Sequence, residues 1–258
     1  MQQAFFDTYA QTYDDHFTNS LIGKAQRELV HQYLLKIKDS NAGVLEINGG
    51  TGEDALFLSQ HFKCVTCTDV SEAMLSIAKH KNKENSNAFF ERSSIQELTN
   101  NVKGEFDLVF SNFGGLNCLS PAELQQLEKD LNVIAKKDLV FVIMGRKCLW
   151  ECFIFWWRND KQRRGRRVDI NGTLAELNGK KFRIHYYSPK EIRDLFEVNY
   201  NQVRCMPIGF FIPPSYLEAS MKKRRFYFTI LNTLDSFVKS MSFLSNYADH
   251  YLIHLKRT

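Results

Sequence analysis

The chain has 258 residues, 44% of them hydrophobic, and carries a formal net charge of +5, a composition without biased tracts that fits one α/β domain with a sizeable core. No apolar run approaches the ~18 residues that a membrane span requires, and the opening MQQAFFDTYA lacks the basic and apolar regions of a secretory leader. A soluble, cytoplasmic protein is the expectation.

The predicted elements alternate between strand and helix. Phe5, Phe6, Tyr9 and Tyr13 recur at helical core spacing near the N-terminus. Strand-like runs follow at Gly43 to Ile47, Lys63 to Thr68, Ala88 to Arg92, Phe106 to Ser111 and Leu139 to Met144. Ser120-Pro-Ala-Glu123 and Ser188-Pro-Lys-Glu191 each place a Ser N-cap, a Pro at the first helical position and a Glu for a capping box, which predicts helices over 121–136 and 189–197. The chain closes with a strand at Val203 to Pro207, helix from Tyr216 onward and a last strand at His250 to Leu255. Alternation of this kind predicts a Rossmann-like, seven-stranded, mostly parallel sheet with helices on both faces, in a single domain spanning 1–258.

Six cysteines stand at 64, 67, 118, 148, 152 and 205. Cys64-Val-Thr-Cys67 has a metal-like spacing, but no second pair or histidine cluster accompanies it, so the pair is placed along a strand and no metal is expected. Between the fifth strand and Ser188 lies an insert, residues 146–187. It starts with the aromatic stretch Cys148 to Trp157, passes through the basic run Lys161 to Arg167, and continues into a hairpin turning at Asn178-Gly179. Register across that type I′ signal pairs Ala175 with Phe182 and Leu177 with Lys180. From Arg146 to Arg183 there are eleven Lys or Arg against four acids, so this stretch carries +7 and the rest of the chain −2. Such a basic, aromatic insert, sited after the carboxyl end of a strand, predicts a lid over an acceptor pocket facing an anionic partner; a solvated loop is the alternative.

Residues 44–58, VLEINGGTGEDALFL, read as strand, glycine turn and helix. Gly50 and Gly52 can adopt positive φ and admit a ligand close to the backbone, while Thr51 is positioned to cap the helix. GTGEDA also fits the loose dinucleotide fingerprint, so the glycines do not choose a cofactor. Glu53 and Asp54 beside the turn would oppose a pyrophosphate, whereas a cationic sulfonium and ammonium ligand suits them, with Glu46 adding negative potential. S-adenosylmethionine (SAM) has those properties. Asp69, nineteen residues beyond Gly50, is placed to accept both hydroxyls of a ribose diol.

The sequence resembles the class I SAM-dependent methyltransferases, specifically the branch of quinone-ring and biotin-pathway carboxyl methyltransferases. The resemblance rests on YAQTYDDHF (9–17), VLEINGGTGED, CTDVSEAML (67–75), SSIQEL (93–98) and FDLVFSNFGGLN (106–117), with the last two strands. It implies that Gly50 and Gly52 hold the methionine and ribose parts, that Asp69 with adjoining Val70 binds the ribose, and that Ser94 with Ile95 binds adenine. Tyr13, Glu46, Asn48 and Asn112 complete the implied cofactor site, with the N-terminal helices of residues 1–40 folding over the cofactor. The family's E-x-G-x-G-x-G has Asn48 in place of its first glycine, and Ser94 stands where Asp is usual.

The acceptor is the less legible half. Nucleobase amino methyltransferases often carry [ND]-P-P-[YF] after the fourth strand; here that place reads Ser111-Asn112-Phe113-Gly114-Gly115. The expectation is a small or lipophilic acceptor, free, carrier-bound or met at a membrane surface, methylated at oxygen, with an RNA or other nucleic-acid methyltransferase, a dinucleotide-dependent oxidoreductase and a catalytically silent nucleoside-binding or RNA-binding protein as alternatives. A hydroxyl acceptor would use a base, for which His16 and His185 are candidates, with Tyr13, Tyr186 and Arg146 to orient it; a carboxylate would need none.

Overall fold

Apolar residues run almost without interruption along the central strands, as a parallel sheet covered on both faces requires. The computed structural model describes Asp7, residues 9–177 and residues 180–258. The strands are β1 (Gly43–Ile47), β2 (Cys64–Asp69), β3 (Ala88–Arg92), β4 (Phe106–Ser111), β5 (Ala135–Met144), β6 (Thr173–Leu177), β7 (Lys180–Ile184), β8 (Tyr200–Ile208) and β9 (His250–Arg257). Seven of them form one sheet in the order β3-β2-β1-β4-β5-β9-β8, with β9 antiparallel to both neighbours and the remaining pairs parallel. This is the predicted mostly parallel, Rossmann-like sheet.

The helices are α1 (Ala10–Tyr13, continued by a π turn at Asp14–Thr18), α2 (Leu21–Lys36), α3 (Glu53–Ser59), α4 (Glu72–Lys81), α5 (Leu98–Asn101), α6 (Pro121–Ile134), α7 (Leu149–Trp157), α8 (Lys161–Arg164), α9 (Pro189–Phe196), α10 (Glu218–Lys223) and α11 (Arg225–Val238). Leu45, Ile47, Val109 and Phe141 point to one face, where α6 and α9 supply Leu127, Leu131, Ile192 and Phe196. Val44, Leu108, Phe110 and Val140 point to the other, where α2 and α3 supply Leu29, Leu34, Ala55 and Leu58.

Local chemistry starts α6 and α9 as expected, since both capping boxes close: Ser120 and Ser188 accept from the third helical amide while Glu123 and Glu191 reach back to the cap amide. The expected end of α6 at residue 136 is too late. Ala135 is extended and pairs with Phe106, so sheet pairing starts β5 four residues before the apolar run at Leu139. Strands β8 and β9 likewise extend past their apolar centres, to the pair Tyr200 and Arg257.

The hairpin β6–β7 has the predicted register, Ala175 opposite Phe182 and Leu177 opposite Lys180; its turn, Asn178-Gly179, lies outside the described residues, as do Phe5 and Phe6. No helix among the described residues is long and apolar enough to cross a membrane.

Candidate active site

The glycine turn between β1 and α3 is held from below and from the side. Gly50 has φ +55° and donates its N–H to Asp69 Oδ2 at 2.9 Å, and a Cβ built on Gly50 would meet nothing within 4 Å. That side of the turn faces open space. Gly52 differs: at φ +73° it is the N-cap of α3, and a Cβ there would lie 2.6 Å from Ala78 Cβ on α4. Its missing side chain serves helix packing. Asn48 adopts φ +59°, the left-handed region that Asn tolerates, and its side chain lies over Gly115, where a Cβ would be only 2.4 Å from Asn48 Nδ2. The first glycine of the expected pattern is therefore replaced by the non-glycine residue best able to hold that backbone.

A cleft of about 250 Å³ opens beside this turn at the carboxyl ends of the strands. Tyr13, Asn48, Gly50, Asp69, Val70, Ser94, Ile95 and Asn112 all line it. Of the expected cofactor residues, only Glu46 and Gly52 are absent from the lining. Glu46 lies behind the turn, where a Cβ on Gly49 would come within 3.1 Å of its Cδ. Burial and the neighbouring Asp54 push its carboxyl well above the usual range, so the surroundings disfavour the negative charge expected of Glu46.

Asp69 accepts from Gly50 N and, at Oδ1, from Ser71 N at 2.9 Å. Burial raises its pKa against the pull of those amides. Each carboxyl oxygen keeps a further lone pair. Glu46 Oε2 and Asn48 Nδ2 are buried without a hydrogen-bond partner, polar atoms that a ligand with an amine and a carboxylate would satisfy. Together with the open side of Gly50, these atoms fit SAM.

The charges of Glu53 and Asp54 are already answered by the protein. Glu53 pairs with Lys81 at 3.2 Å; Asp54 is buried and takes Arg27 Nε at 3.1 Å, His31 Nε2 at 2.6 Å and Asn112 Nδ2 at 3.0 Å. The expected clash with a pyrophosphate is therefore much reduced, and the two acids do not decide the cofactor. Thr51 does not cap α3 either. Its hydroxyl donates to Asp14 Oδ1 at 2.6 Å, and Lys81 Nζ bridges Asp14 at 2.7 Å. With Asp7 accepting from Ser71 Oγ, this ties the N-terminal segment across the turn and brings Tyr13 to the cleft.

Beyond the turn the cleft becomes apolar, lined by Phe113, Leu119, Met144, Phe182 and Ile184. Asn117 builds this end: its Nδ2 donates to Met144 O and His185 O, its Oδ1 accepts from Met144 N, and its carbonyl accepts from His185 N at 2.7 Å. One side chain thus clips β5 and the hairpin to the segment after β4. Sequence reasoning did not single out Asn117 or Lys81, whose partners are distant in the chain.

Among the catalytic candidates, Tyr13 alone lines the cleft; burial pushes its phenol up, so it is a neutral donor. Arg146 is engaged bidentately by Glu191, both contacts at 2.7 Å. His185 packs against Gly172, Tyr186 lies under the Arg167 guanidinium at 5.1 Å, and His16 is exposed beside Tyr9. None of these three is in the lining.

The insert divides in two. The hairpin contributes Phe182 and Ile184 to the cleft, whereas Trp156 and Trp157 of α7 are exposed and do not line it. The basic run is not uniformly solvated. Arg163 and Arg164 face solvent, but Arg167 is 5% exposed and pairs with Glu151 at 2.8 Å and Asp249 at 2.6 Å, and Arg166 joins Glu151.

Residues 44–138 match a family described as a methyltransferase domain. No curated protein matches the sequence. Solved structures do. The magnesium protoporphyrin IX methyltransferase ChlM of Synechocystis PCC 6803, with bound S-adenosylhomocysteine, is similar at 14% identity and a TM-score of 0.63 over 99% of this chain and 95% of that one. A complex of DhpI with SAM and HEP is similar at 16% identity and a TM-score of 0.64, over 100% and 96%. The N-methyltransferase NodS of Bradyrhizobium japonicum WM9 is similar at 11% identity and a TM-score of 0.55, over 93% and 89%. At these identities the likeness is one of fold.

Proposed function

We propose, from the premise that this chain is an S-adenosylmethionine-dependent methyltransferase, that it methylates an oxygen of a small, lipophilic acceptor, and that this oxygen arrives already ionised. When bound, SAM supplies a methyl group on a sulfonium electrophile. Gly50 and Asn48 would hold its methionine part, with Glu46 behind the turn, Asp69 and Val70 its ribose, and Ser94 with Ile95 its adenine.

The carrying observation is the protonation of the lining. Among the described residues the titratable side chains there are Tyr13, Asp69 and Cys118. Burial pushes Tyr13 up and Cys118 to about 11, so both keep their protons at neutral pH, and Asp69, which accepts from two backbone amides, turns its remaining lone pairs to the ribose rather than to the acceptor. None of the three is a base for a neutral hydroxyl or an ammonium. A carboxylate or acidic phenol needs no base, and the neutral Tyr13 hydroxyl is a donor suited to orient such an oxyanion. Phe113, Leu119, Met144, Phe182 and Ile184 suit an apolar body, and positioning it in line with the methyl is the main catalytic contribution left to the protein. The resemblance to carboxyl methyltransferases supports the same reading. A nucleic-acid acceptor is less favoured because Arg166 and Arg167 spend their charge on internal carboxylates.

The test uses methyl-labelled SAM with matched carboxylate, phenol and amine acceptors. Transfer to the carboxylate or phenol is expected, with a pH profile that follows the acceptor's own pKa. Transfer only to the amine would overturn the reading, as would strong inhibition by bulk RNA.

A further inference from the structure

Two helices outside the cleft expose aromatic surface that folding leaves uncovered. On α7, Phe153, Trp156 and Trp157 are exposed at three- and four-residue spacing, Trp157 at 75%. On α11, Phe226 (83%), Ile230 and Phe237 (73%) form one outward stripe, while Phe228, Leu231 and Asp235 face inward. The helices are neighbours: Trp150, Ile154 and Arg158 of α7 line one groove together with Met221, Arg224 and Tyr227 of the α10–α11 segment.

Charge is sorted across this segment. Between Ser215 and Tyr247 the sequence holds two acids, Glu218 and Asp235. Glu218 accepts from the amides of Leu21 and Ile22 at 2.8 and 3.1 Å, and Asp235 from those of Phe210, Phe211 and Ile212. Lys222, Lys223, Arg224 and Arg225 are exposed in succession, with Arg158 at the end of α7. The hydroxyls of α11 are satisfied within the helix: Thr229, Thr233 and Ser236 donate to the carbonyls of Arg225, Thr229 and Asn232 four residues back. A helix face with aromatic and aliphatic side chains, internally satisfied hydroxyls and a cationic border has the chemistry of an interfacial membrane helix.

We propose that the α7–α11 face docks this enzyme on an anionic lipid surface. A second copy fits less well, because two-fold pairing of this face would set the Lys222–Arg225 borders against each other, with Asp235 buried and Glu218 already engaged by the Leu21 and Ile22 amides and by Lys222 at 3.5 Å. The placement is consistent with access to the cleft. Met144 at the end of β5 and Ile208 at the end of β8 both stand opposite His250, so α7 and the α10–α11 segment leave the sheet at the edge where the cleft opens. The inference does not depend on which atom is methylated.

The experiment is sedimentation of the full chain with vesicles of phosphatidylcholine alone and of phosphatidylcholine mixed with phosphatidylglycerol, at low and high salt. Wild type should sediment with the mixed vesicles and be released by salt. Lys222→Ser/Lys223→Ser/Arg225→Ser should lower partitioning on the order of a hundredfold, and Phe226→Ser/Phe237→Ser by roughly tenfold. All five substituted positions face solvent, so melting temperature and SAM affinity should stay at wild-type values in both variants. Wild type remaining in the supernatant with both vesicles would overturn the proposal. So would equal binding to neutral and anionic vesicles, or a solution dimer that Phe226→Ser/Phe237→Ser converts to monomer.

Discussion

Asp69 and Gly50 are joined by one hydrogen bond, yet substitutions at the two should fail differently. Both Asp69 oxygens receive backbone N–H groups, so in Asp69→Asn the amide nitrogen must face a donor as well as lose charge toward the ribose. We expect SAM binding weakened by about 1–3 kcal/mol in titration calorimetry with the fold retained; unchanged affinity would remove Asp69 from the ribose site. Gly50→Val puts a β-branched side chain into the cleft from a positive-φ position, so binding and turnover should be lost while the protein still folds. Gly52→Ala should do the reverse and lower the melting temperature, since its Cβ would collide with Ala78 on α4.

At the scale of elements, the basic run of the insert contains two kinds of arginine. Arg163→Ser/Arg164→Ser should leave stability near wild type, because exposed charges contribute little. Arg167→Ser leaves Glu151 and Asp249 short of a buried partner, and should cost about 3–5 kcal/mol, read as a melting temperature lower by roughly 6–20 °C. Equal melting temperatures for the two variants would refute the internal role. The N-terminal segment offers a parallel case. Asp14→Ala removes the acceptor shared by Thr51 and Lys81, so Tyr13 loses its tether and SAM affinity should fall by about 1–2 kcal/mol with little change in melting temperature.

For the whole molecule, buried carboxylates pull stability in opposite directions with pH. Arg27 and His31 lower Asp54, and His250 with Arg167 lowers Asp249, each against its own burial. Their stabilisation is complete above the unfolded value of about 3.9 and is lost as pH falls toward the depressed folded values. Asp235 acts oppositely: burial lifts it to about 6, so the folded state binds its proton more tightly and stability declines as pH rises from about 3.9 toward that value. Urea titrations across pH should show both limbs. Asp235→Asn should flatten the upper limb and leave the acidic one; a persisting decline would assign it to another group.

Sequence alone determined the elements whose causes are local. The Ser-Pro-x-Glu boxes started α6 and α9, the glycine turn announced a ligand at the end of β1, and apolar runs placed five parallel strands to within a few residues, apart from the start of β5. Seven of ten expected cofactor residues came together in one cleft for the same reason, since each sits at or just beyond the carboxyl end of a strand, and Tyr13 joins them from α1 through the Asp14 tie. Tertiary structure decided what depends on partners far along the chain. Thr51 looked like a cap until Asp14 and Lys81 were placed beside it, Glu46 looked like a source of charge until burial beside Asp54 disfavoured that charge, and Arg167 looked solvated until Asp249 lay across from it. The physical reason is common to all three: periodicity and capping act over one helical turn, whereas the charge state and hydrogen-bond partner of a polar side chain are set by whatever the fold packs against it.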